Sequence, residues 1–79
     1  MRIVVKLYNE LRPYASILAD DGSLDLPEGA TPRDLLTMLG IPPDRHETLP
    51  LFRNGRPGQI DTPLRERDVI VAFAPMSGG

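Results

Sequence analysis

The chain has 79 residues, enough for one small domain, and its 41% apolar and 25% charged residues give an ordinary globular balance. A net charge of -2 with no basic block argues against nucleic acid as the main partner, and no apolar run approaches the ~18–20 residues of a membrane span. The absence of cysteine excludes a disulfide framework or a thiolate zinc site, and the single histidine excludes a histidine metal cluster.

The opening stretch MRIVVKLYNELR has too short an apolar core for a signal peptide and lacks a small-residue cleavage site, so a cytoplasmic location is expected. Within it, residues Arg2 to Tyr8 suit a strand. Ile3, Val5 and Leu7 fall on one face at period two, with Arg2, Lys6 and Tyr8 opposite. In NELRPYASILADDG, residues Leu11, Tyr14, Ile17 and Leu18 fit either a short helical turn or a long hairpin connection, and Pro13 argues against a long helix. Asp21-Gly22 signals a turn. SLDLP then alternates with Leu24 and Leu26 inward, which predicts a hairpin of the first two strands.

TPRDLLTMLG carries the clearest helix signals. Thr31 is a good N-cap, Pro32 fits the first helical position, and Asp34 three residues on makes a capping-box pattern. Gly40 suits a left-handed stop, Ile41 can fold back on Leu36, and Pro42 blocks continuation. Leu35, Leu36 and Leu39, flanked by Met38, form the stripe that packs on a sheet. PPDRHETLP follows, where His46 reads as a solvent-exposed loop residue. Ser-His-Asp chemistry would have to pair it with Ser16, Ser23 or Ser77, and none of these lies in a nucleophile elbow.

A third strand is expected through TLPLFR to the turn Asn54-Gly55, with Pro50 marking an edge or a bulge. Leu51 should face the core and Phe52 the other side. RPGQIDTPLRER reads as a polar connection with a two-residue strand at Gln59-Ile60 and Leu64 as its core anchor. DVIVAFA differs in kind, since Ile70 and Ala72 lie on one face while Val69, Val71 and Phe73 lie on the other. A strand apolar on both faces belongs at the centre of a sheet. The predicted order is β-β-α-β-β-β. One helix covers only one sheet face, so Val71 and Phe73 should stay partly exposed as a partner-docking surface.

The DLLTMLGIP helix exit, the FRNG turn, the DTPLRERDVIVAF segment and the final SGG together resemble the ThiS/MoaD sulfur-carrier family. That resemblance covers almost the whole chain. It implies an α+β, ubiquitin-like β-grasp fold: a mixed sheet of four to five strands covered on one face by one main helix. Residues 1–75 would form the domain and residues 76–79 a flexible C-terminal tail. Within the family, APMSGG is similar to the PPVTGG or PPVSGG ending of the molybdopterin synthase small subunit, with Ala74 in place of a proline and Met76 in place of a valine. The family's acidic-Gly-Asp turn before the last strand is Glu66-Arg67-Asp68 here.

The resemblance also implies a function. A ubiquitin-activating-type adenylyltransferase would use ATP to adenylate Gly79, and sulfur would replace the adenylate to give a thiocarboxylate, with Gly78 supporting delivery. The acceptor would be a synthase large subunit or another sulfur-accepting enzyme, with molybdopterin synthesis the first expectation. The chain itself would be a carrier with no bound cofactor rather than an enzyme. Phe73, Val71, Pro75, Met76 and Phe52 would meet the partner, and the nearby Arg53, Arg56 and Arg67 would either join that recognition or form an ordinary solvated face.

Residue chemistry suits this role. A carboxylate resists nucleophiles until it is joined to a leaving group such as AMP. Glycine lets backbone pass where a side chain would clash, and residues 76–79 span roughly 13–14 Å when extended. Pro75 restricts its own φ and biases Ala74 toward extended backbone. Two other readings use the same residues differently. A protein modifier would join Gly79 to lysines, and a plain binding module would not need Gly78 or Gly79. Within the carrier class, thiamine or amino acid synthesis would use the same end group.

Overall fold

The computed structural model describes residues 1–74. β1 (Arg2–Tyr8) has the expected bounds and buries Ile3 and Val5. A 3-10 helix over Asn9–Ile17 resolves the ambiguous stretch as short helical turns. Asn9 makes the break from β1 with a left-handed φ of 57°, a conformation asparagine tolerates better than most residues. Leu11 is fully buried and plugs this end of the core. The chain returns through Gly22 into β2 (Ser23–Asp25), which pairs antiparallel with β1 in the register Ile3↔Leu24. Gly22 has φ 85°, and a Cβ there would lie 2.9 Å from the Val5 carbonyl oxygen, so only glycine fits.

α1 (Pro32–Leu39) forms as its sequence dictates. The Asp34 amide donates to Thr31 Oγ1 at 3.2 Å, and the Thr31 amide donates to Asp34 Oδ2 at 3.0 Å. The helix stops at Gly40, φ 90°, and the Ile41 amide donates to the Leu36 carbonyl. Leu35, Leu36 and Leu39 are buried against Ile3, Val5, Ile70 and Ala72, while Met38 is exposed.

A second 3-10 helix, Pro43–Thr48, occupies ground assigned above to a loop and the start of a strand. It corrects the reading of His46, which is only 3% exposed, with Nε2 2.7 Å from the Ile41 carbonyl oxygen. The polar composition of PPDRHETLP concealed this burial, because the imidazole finds its hydrogen-bond partner five residues back.

β3 is therefore shorter than expected, Leu51–Arg53. Pro50 marks neither an edge nor a bulge. It precedes the strand, where its missing N–H costs nothing, and its carbonyl accepts from the Phe73 amide at 3.4 Å. Asn54 and Gly55 both have positive φ, 53° and 84°, the geometry of a tight hairpin turn. That turn brings β4 back immediately, so the two-residue strand is Arg56–Pro57 rather than Gln59-Ile60. Leu64 is buried, as expected of the anchor of the long connection.

β5 (Val69–Phe73) closes the fold. The sheet order is β2-β1-β5-β3-β4, with β5 parallel to β1 and antiparallel to β3. The two-faced apolar strand is thus central, in a mixed five-stranded β-grasp sheet with its helix on one face. No helix among the described residues is long and apolar enough to cross a membrane.

Candidate functional site

Alternation along three adjoining strands builds the sheet face opposite α1. On β5, Ile70 and Ala72 are fully buried toward the helix, whereas Val69, Val71 and Phe73 are half-buried on the open side. Register partners share a face, so Lys6, Val71 and Phe52 form one cross-strand row and Tyr8 and Phe73 the next. The Phe52 and Phe73 rings stack with centroids 6.0 Å apart. The structure thus brings together three of the residues expected to meet a partner, Val71, Phe73 and Phe52. Pro75, Met76, Gly78 and Gly79 lie outside the described residues, as does the proposed boundary between residues 75 and 76.

Sequence reasoning placed Lys6 and Tyr8 opposite the core but missed that they border this strip. Their alternation was legible, whereas the parallel β1–β5 pairing that sets them beside Val71 and Phe73 was not. Tyr8 is 48% exposed.

A polar network fixes the opposite end of β5. Asp68 is 6% exposed and accepts from the Arg65 amide at 2.8 Å and from Asn54 Nδ2 at 2.9 Å, while Arg53 pairs with it at 2.8 Å. Burial pushes the Asp68 carboxyl up, but the Arg65 amide, Asn54 and Arg53 outweigh it and hold the group below its ordinary value. Asn54 completes the clamp, since its Oδ1 accepts from the Val69 amide at 2.8 Å and its own amide donates to the Val69 carbonyl. The hairpin tip is thereby locked to the start of β5, which fixes the register that stacks Phe52 on Phe73.

Arg53 is consequently bound rather than solvated, a correction to its place in a free arginine face. Arg56 and Arg67 remain exposed. In Glu66-Arg67-Asp68, Arg67 itself adopts the left-handed conformation, φ 69°, that a glycine would take without strain. Its amide donates to the Arg2 carbonyl, and Glu66 accepts from the Arg2 amide.

On the helix side, Arg33, His46, Glu47, Ile60 and Asp61 help line a shallow groove. The Arg33 guanidinium is already held by both Asp61 oxygens, at 2.8 and 3.1 Å, and by Glu47 at 3.2 Å. These bonds, those to Asp61 first, push its proton affinity further up, so the groove holds an arginine whose charge is fully compensated rather than a reactive group. Among the described residues no three His, Asp or Glu side chains gather as a metal site.

Comparison with known proteins bears on the whole chain. The model of the ThiS family matches residues 5–79. No curated protein matches significantly. Among solved structures, one from Pyrococcus furiosus, assigned as molybdopterin converting factor subunit 1, superposes with a TM-score of 0.71 at 27% identity, covering 96% of this chain and 99% of that one. The structure of SAMP1 from Haloferax volcanii superposes with a TM-score of 0.71 at 22% identity over 100% of both chains. A second structure of that small archaeal modifier protein gives 0.69 at 21% identity, over 95% of this chain and 98% of the other. These two likenesses speak to the fold alone. With the family match running from the first strand to the final glycine, and the mixed sheet and single capped helix in agreement, the chain belongs to the ThiS family of ubiquitin-like sulfur carriers.

Proposed function

We propose that the protein is a non-catalytic sulfur carrier whose Gly79 is converted to a thiocarboxylate and delivered to an enzyme of molybdopterin synthesis. One observation carries the reading: a half-buried apolar strip on the open sheet face joins Phe52 of β3 to Val71 and Phe73 of β5, the strand that precedes the APMSGG ending in sequence. A docked partner would cover the strip and receive the tail in its own active site. There the Gly79 carboxylate attacks the α-phosphorus of ATP, and pyrophosphate leaves. A sulfur nucleophile then displaces AMP from the acyl carbon. The fold contributes position and access, and the partner contributes the chemistry.

The pterin branch is favoured by two likenesses, the APMSGG ending and the 27% identical Pyrococcus furiosus protein. The test is incubation of the full chain with a ubiquitin-activating-type adenylyltransferase, ATP and a sulfur donor, followed by intact mass measurement. The expected result is replacement of one oxygen by sulfur at Gly79. An unchanged mass, under conditions where an established carrier reacts, overturns the reading. Isopeptide conjugates of Gly79 in cell lysates would instead assign the activated end group to protein modification. Transfer to a thiazole or amino acid product would move the carrier to another pathway.

A further inference from the structure

Among the described residues, the strands present one charge without an ion-pair partner on the open sheet face. Alternation along β1 places Arg2, Val4, Lys6 and Tyr8 on it. Arg2 is neutralised by its register partner, with Nε donating to Asp25 Oδ1 at 3.1 Å. Lys6 is exposed and, among the described residues, has no ion-pair partner. Its neighbours in register and along the strand are Val71, Val4 and Tyr8, and Phe52 lies one strand further across. Lys6 is also the sole lysine of the chain, the other basic side chains being arginines and His46.

Any partner that covers Val71 and Phe52 takes Lys6 into the same contact. A cation carried into an apolar interface without a counter-charge loses its hydration and gains nothing in return. A carboxylate opposite it reverses that balance, and the four-carbon stem can lie along Val71 while the ammonium reaches the contact. Such a pair also supplies what the strip lacks. Apolar burial is non-directional, so stacked rings alone leave the domain free to turn about them. A tail reaching only roughly 13–14 Å tolerates little rotation before its carbonyl misses a catalytic site. One charge pair set to the side of the aromatic pair fixes the angle.

We propose that Lys6 is the orienting contact for the protein that activates the tail, and that this partner presents an aspartate or glutamate to it from an otherwise apolar docking surface. The inference rests on the proposed activation of Gly79. The test compares full-length wild type with K6R, K6M and K6E as substrates of the cognate adenylyltransferase, using ATP–pyrophosphate exchange at low and high salt. Because the side chain is exposed, all four should share one circular dichroism spectrum and one unfolding midpoint.

The expected half-saturating concentration for K6R is within about threefold of wild type, for K6M about tenfold higher, and for K6E about a hundredfold higher. Salt should weaken wild type and K6R more than K6M. Wild-type activation matched or bettered by K6M overturns the inference alone, because apolar burial then suffices. K6R as weak as K6M overturns it too, because charge is then not what the partner reads. Absence of activation for wild type overturns the proposed function and this inference with it.

Discussion

The rings of Phe52 and Phe73 lie 14° from parallel, with centroids 6.0 Å apart, as diagonal neighbours across β3 and β5. Phe52 is in register with Val71, two residues before Phe73. The domain only half-buries each ring, so the pair depends as well on its own contact and on the strand register. Phe73→Ala should remove about 2 kcal/mol of docking free energy, roughly thirtyfold in the half-saturating concentration for activation. Its effect on folding should be smaller, about 1 kcal/mol in urea unfolding. A variant activated as well as wild type would exclude the strip from docking.

The proposed function adds access to Gly79 as a separate requirement. A chain carrying one extra phenylalanine after Gly79 should unfold at the wild-type midpoint yet form thiocarboxylate at least about a hundredfold more slowly, because the reacting carbonyl is displaced from its seat. Intact mass with time reads the outcome, and untrimmed chain carrying sulfur at the wild-type rate would refute it.

The Thr31–Asp34 capping box satisfies two amides at the helix start. Thr31→Ala should destabilise the domain by about 1 kcal/mol, lowering the thermal midpoint by about 4–8 °C. Activation measured well below that midpoint should be unchanged, since α1 lies behind the sheet from Phe52 and Phe73.

Asp68 makes stability depend on pH in a defined direction. Its folded pKa is depressed below the ordinary 3.8 of the free side chain. Its contribution is therefore present in full above that value and is lost as pH falls through the lower folded one. Asp68→Asn leaves Arg53 without its counter-charge and should cost about 2–3 kcal/mol near neutral pH. The gap between wild type and variant, measured by urea unfolding, should shrink only below about pH 4. A gap unchanged at pH 2.5 would show that the carboxylate is not held by these bonds.

His46→Ala should leave both a void and an unsatisfied Ile41 carbonyl, costing about 2–3 kcal/mol. Activation of the tail should again be retained at temperatures where the variant is folded. A stability unchanged by the substitution would show the imidazole to be as solvated as its surrounding sequence suggested.

Local signals were the legible ones. The bounds of β1 and of α1 with its caps came out as read, because side-chain alternation and capping hydrogen bonds act within a few residues. The two-faced apolar pattern of VIVAF gave its central place, and with it Val71 and Phe73. The misreadings lay where distant residues decide the outcome. His46 looked exposed beside prolines and charges until α1 and its exit closed over it. The two-residue strand was misplaced because the Asn54-Gly55 turn returns the chain sooner than composition indicated. Arg53 looked solvated until Asp68, distant in sequence, arrived beside it.

The sequence by itself determined the first strand, the α-helix and its ends, and the apolar last strand that precedes SGG, since each is written in the spacing of neighbouring residues. Only the tertiary structure decided that β1 runs parallel beside β5, that Phe52 lies against Phe73, and that Lys6 shares their face without an ion-pair partner among the described residues. Pairing between residues 65 positions apart leaves no periodic trace in either strand. It is chosen by the joint burial of Ile3, Val5, Ile70 and Ala72 under one helix, a property of the assembled core.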